Sequence, residues 1–126
     1  MYKHILIADD SSTSRMIIQR CLQIIGFSDA VFFEAENGIE ALDILQRHPE
    51  IDLIITDINM PKMDGANFIR RLKTDHSFSQ KDVVVISSVL SGPLIDALQE
   101  LRVKAMIKKP INPQELYQAL REQKEA

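Results

Sequence analysis

The chain has 126 residues, 45% of them hydrophobic, which fits one compact domain over residues 1–126. Its formal net charge of −3 argues against direct binding of nucleic acid, because contacts with phosphates favour a basic face. The single cysteine, Cys21, excludes an internal disulfide and favours a reducing compartment. The sequence begins with no signal-peptide pattern and has no apolar run of membrane-spanning length, which predicts a soluble, cytoplasmic protein without a membrane partner.

Short β-branched runs alternate with helical segments five times along the chain. In chain order, the predicted strands cover residues 5–8, 31–34, 51–56, 83–87 and 105–108. The segments between them carry apolar residues at helical spacing. Strands that are apolar throughout are buried on both faces, so the pattern predicts a parallel sheet covered by helices on both sides. We therefore expect an α/β fold with a doubly wound, five-stranded parallel sheet in the order 2-1-3-4-5, as in flavodoxin-like proteins.

Helix-start signals support this division. Asn37 is followed by Glu40, and Asn112 by Pro113 and Glu115, at the spacing of a capping box. Ser91 stands before Gly92 and Pro93, which predicts the start of the fourth helix there.

Acidic residues follow two strands that are neighbours in the predicted sheet. Asp9 and Asp10 come after the first strand, and Asp57 comes after the third. In this architecture sites form at the carboxyl ends of the strands, so we expect the three carboxylates to converge. Two carboxylates about 4–5 Å apart repel by roughly 3–4 kcal/mol at an effective dielectric near 20, so cations must compensate them. Lys109, after the fifth strand, supplies one charge.

A hard divalent cation would supply two more charges. Oxygen ligands without a histidine or cysteine nearby favour Mg²⁺. An ion, a lysine and a hydroxyl around one carboxylate suit a phosphoryl group, whose negative charge they offset. Asp57 is then the candidate nucleophile that forms an aspartyl phosphate, and Ser87, at the end of the fourth strand, is a candidate hydrogen-bond donor to it.

The set formed by Asp9-Asp10, Asp57 with "MPKMDG" after it, Ser87, and Lys109-Pro110 resembles the receiver (CheY-like) domain of two-component response regulators. The match spans nearly the whole chain and is closest to the single-domain chemotaxis type. The resemblance implies a signalling switch in which Asp57 accepts a phosphoryl group from a phosphohistidine. The donor would be a sensor histidine kinase or a phosphotransfer protein. The switch would catalyse its own phosphorylation and dephosphorylation and turn over no separate substrate.

The resemblance also assigns ligands and contacts. Mg²⁺ would be held by Asp9 or Asp10 together with Asp57, and by the backbone carbonyl of Asn59. Lys109 would contact the phosphoryl group, and a cis peptide would precede Pro110.

The resemblance further places the output face on helix 4, strand 5 and helix 5, as a contact with a downstream protein that the sequence does not identify. This face includes Lys104, Met106, Lys108 and Tyr117, and Ser88 is a further switch or output residue. Met106 occupies a position where the family usually has an aromatic switch residue. We therefore expect phosphorylation to be reported mainly by the loop after Ser87 and by helix 4.

Three further expectations come from the resemblance. Asn59 and Val89 stand where the family tunes hydrolysis of the phosphoryl group. Kinase docking would fall on helix 1, with Arg15, Ile18 and Gln19. The protein is expected to be a monomer or a weak dimer.

Three alternatives stay open. A Mg²⁺-dependent phosphohydrolase would need a second acid two residues after the nucleophile, where Asn59 stands. A flavodoxin-like electron carrier would use the hydroxyls of "DDSSTS", taken as a loop, to bind a phosphate, although Asp9 and Asp10 would repel it. A receiver-like module that is never phosphorylated is disfavoured by the complete acidic set.

Overall fold

The structure is a computed structural model that describes residues 2–121. Over this range the strands are His4–Ala8 (β1), Val31–Ala35 (β2), Leu53–Thr56 (β3), Asp82–Ser87 (β4) and Ala105–Lys108 (β5). The α-helices are Ser12–Leu22 (α1), Gly38–Arg47 (α2), Gly65–Lys73 (α3), Gly92–Glu100 (α4) and Pro113–Leu120 (α5). A π-helical turn, Gln23–Phe27, continues α1.

The strands form one parallel sheet in the order β2-β1-β3-β4-β5, which confirms the predicted doubly wound topology. The register matters for function. Ala8, the last residue of β1, pairs with Thr56, the last residue of β3, and Ser87 of β4 pairs with Lys108 of β5. β1 and β3 therefore end level with each other, as do β4 and β5, while β4 extends two residues past the residue that pairs with Thr56. The residues that follow these strands share one edge of the sheet.

Side-chain caps fix where the helices begin. Asn37 accepts a hydrogen bond from the Glu40 N–H at 2.9 Å, and Asn112 accepts one from the Glu115 N–H at 2.8 Å. Ser91 caps α4 by accepting from the N–H of Leu94. All three predicted helix starts are confirmed.

The prediction that strand 3 begins at residue 51 is wrong by two residues. The Ile51 N–H donates to the His48 carbonyl at 3.1 Å in a turn, so the regular strand begins only at Leu53. Ile51 is nevertheless fully buried, which explains why its apolar character extended the predicted strand.

Two apolar cores lie on opposite faces of the sheet. One contains side chains of α2, α3 and α4, and the other contains side chains of α1 and α5. Cys21 is buried in the second core, as its apolar neighbours predict. Within residues 2–121, none of the helices combines the length and the apolar character needed to cross a membrane.

Candidate functional site

Three carboxylates converge at the carboxyl edge of the sheet, as the sequence predicts. Asp9, Asp10 and Asp57 each place a carboxylate oxygen within 4.8 Å of the others. The relative exposure of Asp9 is 1% and that of Asp57 is 7%, whereas Asp10 is exposed. The level ends of β1 and β3 produce this arrangement, because the acids directly follow paired residues.

Asp57 is held by its own backbone and by its neighbours. Its N–H donates to the Ala8 carbonyl at 2.8 Å, and its carbonyl accepts from the Thr56 hydroxyl at 2.8 Å. One carboxylate oxygen, Oδ1, accepts the Ile58 N–H at 2.6 Å. These contacts fix both the position of the strand end and the direction of the carboxylate.

Gly65 explains the spacing of "MPKMDG". A Cβ at this position would lie 2.0 Å from the Asp57 carbonyl oxygen, so only glycine allows α3 to begin this close to the strand end. The Gly65 N–H donates to the Ile58 carbonyl at 2.8 Å, and Asp64 caps α3. The motif therefore ties the first turn of α3 to the backbone that carries Asp57.

Lys109 bridges two of the acids. Its Nζ lies 2.9 Å from Asp9 Oδ2 and 3.0 Å from Asp57 Oδ2. Burial by itself lowers the pKa of Lys109, but the hydrogen bonds and charges of the two carboxylates outweigh it and raise the pKa above its ordinary value. The lysine is therefore a fixed cation at the centre of the cluster.

Asp9 is held by donors that the sequence analysis did not single out. Ser14 Oγ donates to Asp9 Oδ2 at 2.6 Å, and the Ser11 N–H donates to Oδ1 at 2.9 Å. Arg15 donates to the Asp9 backbone carbonyl at 2.6 Å and also pairs with Glu34 of β2. Burial by itself raises the pKa of Asp9, but the hydrogen bonds from Ser14, Ser11 and Lys109 hold it below its ordinary value.

The description of "DDSSTS" as a loop holds for its first three residues, Asp9 to Ser11, and is wrong for the last three, which belong to α1. Ser11 caps α1 by accepting the Ser14 N–H at 3.2 Å, and the helix begins at Ser12. Serine is one of the preferred residues at the N-cap of a helix, so Ser11 is a sequence signal that predicts the start of α1. Placing the helix start there puts Ser14 in its first turn, close to the end of β1.

The donor set of the cluster fits Mg²⁺. It consists of carboxylate oxygens, which are the ligands that hard divalent cations prefer, and three carboxylates face one lysine charge. Within the described part of the chain the Asp10 carboxylate makes no hydrogen bond and is therefore free to ligate. Asn59, which the resemblance names as a further ligand through its backbone carbonyl, is exposed and lies two residues after Asp57 in the sequence.

The loop after β4 carries the predicted hydroxyl. Ser87 is fully buried, and its Oγ accepts the Val89 N–H at 3.3 Å, which leaves the hydroxyl hydrogen able to donate elsewhere. Ser88 is exposed, and Val89 has a relative exposure of 57%. The Lys109-Pro110 peptide is cis, as the family resemblance implies.

The predicted output residues make no side-chain hydrogen bond or ion pair with the acidic cluster within residues 2–121. Met106 is partly buried against the core beneath α2, α3 and α4, and it also lines a groove between β5 and α5. Lys104, directly before β5, is half-buried. Tyr117 on α5 has a relative exposure of 51%.

The predicted kinase-docking residues on α1 are placed differently from what the sequence suggested. The relative exposure of Ile18 is 2%, so this residue belongs to the core and cannot form a docking surface. Arg15 is occupied by Asp9 and Glu34. Met16 and Ile17 are the apolar side chains of α1 that face solvent.

Known proteins resemble this chain in sequence and fold. A family profile described as "Response regulator receiver domain" matches residues 5–121. Chemotaxis protein CheY1 of Helicobacter pylori is 34% identical over 118 residues, which cover 92% of this chain and 92% of that protein.

Solved structures agree. Chemotaxis response regulator CheY4 of Vibrio cholerae superposes with a TM-score of 0.81 at 26% identity, covering 95% of this chain and 97% of that one. The CheX-CheY-BeF3-Mg complex of Borrelia burgdorferi contains a chain that superposes with a TM-score of 0.84 at 27% identity, covering 94% of this chain and 86% of that one. With the family profile, the relative and the fold in agreement, this chain belongs to the response regulator receiver domain family.

Proposed function

We propose that residues 1–126 form one cytoplasmic receiver domain, a phosphorylation-dependent switch whose phospho-acceptor is Asp57. The observation that carries the proposal is the position of Lys109, whose amine contacts both Asp9 and Asp57 within the cluster of three carboxylates. A cation held against the acceptor carboxylate is what phosphoryl transfer requires, since catalysis there consists mainly of positioning and charge compensation.

In the proposed reaction, a carboxylate oxygen of Asp57 forms a bond to phosphorus while the bond from phosphorus to the donor's imidazole nitrogen breaks. The electron pair of that bond leaves with the ring nitrogen. Lys109 offsets the negative charge on the phosphoryl oxygens, and Ser87 donates a hydrogen bond to one of them. Asp57 is well suited as nucleophile because its backbone and one carboxylate oxygen are already fixed by Ala8, Thr56 and Ile58.

Asp10 and Asp57, with Asp9 nearby and the backbone carbonyl of Asn59, would hold Mg²⁺. When bound, the ion would neutralise charge on the carboxylates and on the phosphoryl oxygens. The carboxylate of Asp10, which is exposed and makes no hydrogen bond with any residue from 2 to 121, supports this assignment. The Borrelia burgdorferi complex, one chain of which this chain resembles, contains Mg and BeF3.

The phosphoryl donor we propose is a sensor histidine kinase or a phosphotransfer protein. The output would be a protein contact made by α4, β5 and α5, with Ser88, Lys104, Met106 and Tyr117 on or near it. Because Met106 has neither a hydroxyl nor a ring, we propose that the loop after Ser87 and α4 report phosphorylation. Asn59 and Val89 would set the rate at which the phosphoryl group is hydrolysed, and the protein would act as a monomer or weak dimer.

Intact-mass spectrometry tests the acceptor. Incubation with acetyl phosphate and Mg²⁺ should add the mass of one phosphoryl group to the wild type and none to Asp57→Ala. Asp96→Ala, which removes an exposed carboxylate on α4, should behave as the wild type. Modification of Asp57→Ala to the wild-type extent would disprove the assignment.

A second assay separates a switch from an enzyme with external substrates. The wild type should release no phosphate from generic phosphate esters beyond the single group that it carries. Sustained turnover would instead support a phosphohydrolase.

A further inference from the structure

Ser14 is a polar side chain of the site that has no assigned part in the proposed function. It lies in the first turns of α1, and its N–H is fixed by the Ser11 cap. Its hydroxyl donates to Asp9 Oδ2 at 2.6 Å, a short, charge-assisted hydrogen bond. Lys109 donates to the same oxygen at 2.9 Å, so Asp9 Oδ2 has two donors while Oδ1 has one, the Ser11 N–H.

Lys109 is shared between two carboxylates. Its ammonium has three hydrogens, and in this structure it reaches both Asp9 and Asp57. A phosphoryl group on Asp57 would bring new oxygens that require the same cation. If Lys109 turned toward them, Asp9 would lose a donor although its relative exposure is only 1%. A buried acceptor left without a partner is costly.

The serine removes that cost. With Lys109 turned away, the Ser14 hydroxyl still serves Oδ2 and the Ser11 N–H still serves Oδ1. Without the hydroxyl, Lys109 would be the remaining donor to Oδ2 and would be retained there.

We propose that Ser14 is a positioning residue for phosphoryl uptake: its hydroxyl holds the Asp9 carboxylate and thereby releases Lys109 to follow the phosphoryl group on Asp57. This inference rests on the proposed function, because it concerns the same site. Ser14 itself touches neither the phosphoryl group nor its acceptor; it acts through Asp9.

The test is the rate constant of modification by acetyl phosphate at a Mg²⁺ concentration that saturates the wild type. It is followed by intact mass because the chain has no tryptophan to report by fluorescence. Ser14→Ala should be slower by about tenfold, which corresponds to ~1.4 kcal/mol of barrier. Ser14→Thr keeps the hydroxyl and should restore most of the rate. Ser12→Ala removes an exposed hydroxyl from the same turn and should match the wild type.

A double-mutant cycle shows whether the serine acts through Asp9. In an Asp9→Asn background, the effect of Ser14→Ala on the rate should fall below about twofold, since the buried charge that the hydroxyl serves is gone. Ser14→Cys, which has nearly the shape of serine but is a weak donor, should be slow like Ser14→Ala and serves if the alanine variant does not fold.

Three results overturn the inference: a wild-type rate in Ser14→Ala and Ser14→Cys, an undiminished effect in the Asp9→Asn background, or recovery of the full rate on raising Mg²⁺ further. The last result would mean that the serine affects ion binding alone. A wild type that forms no adduct on Asp57 would overturn the proposed function as well. An adduct on the wild type with unaffected serine variants would overturn this inference and leave the proposed function standing.

Discussion

The two edges of the sheet carry the same residue types in different arrangements. At the amino edge, the Asp52 carboxylate accepts the backbone N–H groups of Lys3 and His4, and Tyr2 donates to Asp82. Lys81 donates to the carbonyls before β3, at Pro49 and Ile51. Asp52, Asp82 and Lys81 are thus each matched by a hydrogen-bond partner, which for Asp52 and Lys81 is the backbone.

The carboxyl edge is arranged differently. Its three acids are grouped within ligand distance of one another, and one lysine serves two of them. Among the residues that the structure describes, Asp10 makes no hydrogen bond. The comparison shows that acidic residues at strand ends indicate a site when they are grouped around one shared cation, rather than each being paired separately. At the amino edge the charged groups hold neighbouring strands together, whereas at the carboxyl edge three carboxylates face one lysine.

The largest expected difference is in the rate of Asp57 modification, between substitutions of Lys109 at the carboxyl edge and of Lys81 at the amino edge. Lys109→Met should slow modification of Asp57 by acetyl phosphate by about 100-fold or more, because it removes a fixed cation aimed at the transferring group. Lys81→Met should leave that rate unchanged and should instead lower the free energy of unfolding by about 1–2 kcal/mol, since two backbone carbonyls lose a charged donor. Intact mass gives the rates, and urea unfolding gives the stabilities.

The direction of the pKa shifts agrees with this division. Burial lowers the pKa of Lys81 by more than the charges of Asp52 and Glu50 raise it. For Lys109, the hydrogen bonds and charges of two carboxylates outweigh burial and raise the pKa. Equal effects of the two substitutions on the rate would contradict the contrast between the edges.

Smaller effects, of opposite sign, are expected on the free energy of unfolding when Asp10 at the carboxyl edge and Asp52 at the amino edge are neutralised. Asp10→Asn should raise the free energy of unfolding of the metal-free protein by about 1 kcal/mol, the repulsion of two charges at this separation in water-like surroundings. Asp52→Asn should lower it by about 1–3 kcal/mol, because one oxygen that accepts the Lys3 N–H becomes an NH₂ group. Urea unfolding of both variants and of the wild type measures these changes.

Added Mg²⁺ sharpens the comparison of the acids. A ligand that binds the folded state stabilises it in proportion to the logarithm of its concentration, so the wild type and Asp52→Asn should both gain stability. Asp10→Asn should gain much less. Destabilisation of the metal-free protein by Asp10→Asn would show that its carboxylate has a structural partner after all.

Much of this contrast was predictable from the sequence. The alternation of apolar runs gave the strand order, and the strand order placed Asp9, Asp10 and Asp57 at one edge with Lys109. These predictions succeed because the carboxyl ends of parallel strands meet wherever the strands are neighbours.

The side chains of α1 that hold Asp9 in place, and those that α1 exposes, were not predictable in the same way. Ser14 reaches Asp9 because α1 begins one residue after its Ser11 cap, and a shift of the helix start by one position would turn that hydroxyl elsewhere. The family resemblance predicts Ile18 as a docking residue, but its side chain is buried, because the side of α1 that faces the sheet depends on how the helix packs. Such features follow from tertiary packing, which sequence periodicity fixes only to within a residue or two.

The smallest effect is expected at Met106, which lies on β5 beside the carboxyl edge and packs into the core rather than onto the acids. Met106→Tyr should change the rate of Asp57 modification by less than about twofold, because the charges and hydrogen bonds of the acidic cluster stay as they are. It should also leave the ratio of partner affinities with and without phosphorylation within about twofold, or ~0.4 kcal/mol, if the loop after Ser87 and α4 report the switch. A pull-down that compares the two phosphorylation states, followed by titration of the captured partner, measures this ratio. A large change in the ratio would assign the readout to β5, and the functional part of the carboxyl edge would then extend beyond the residues that hold the charge.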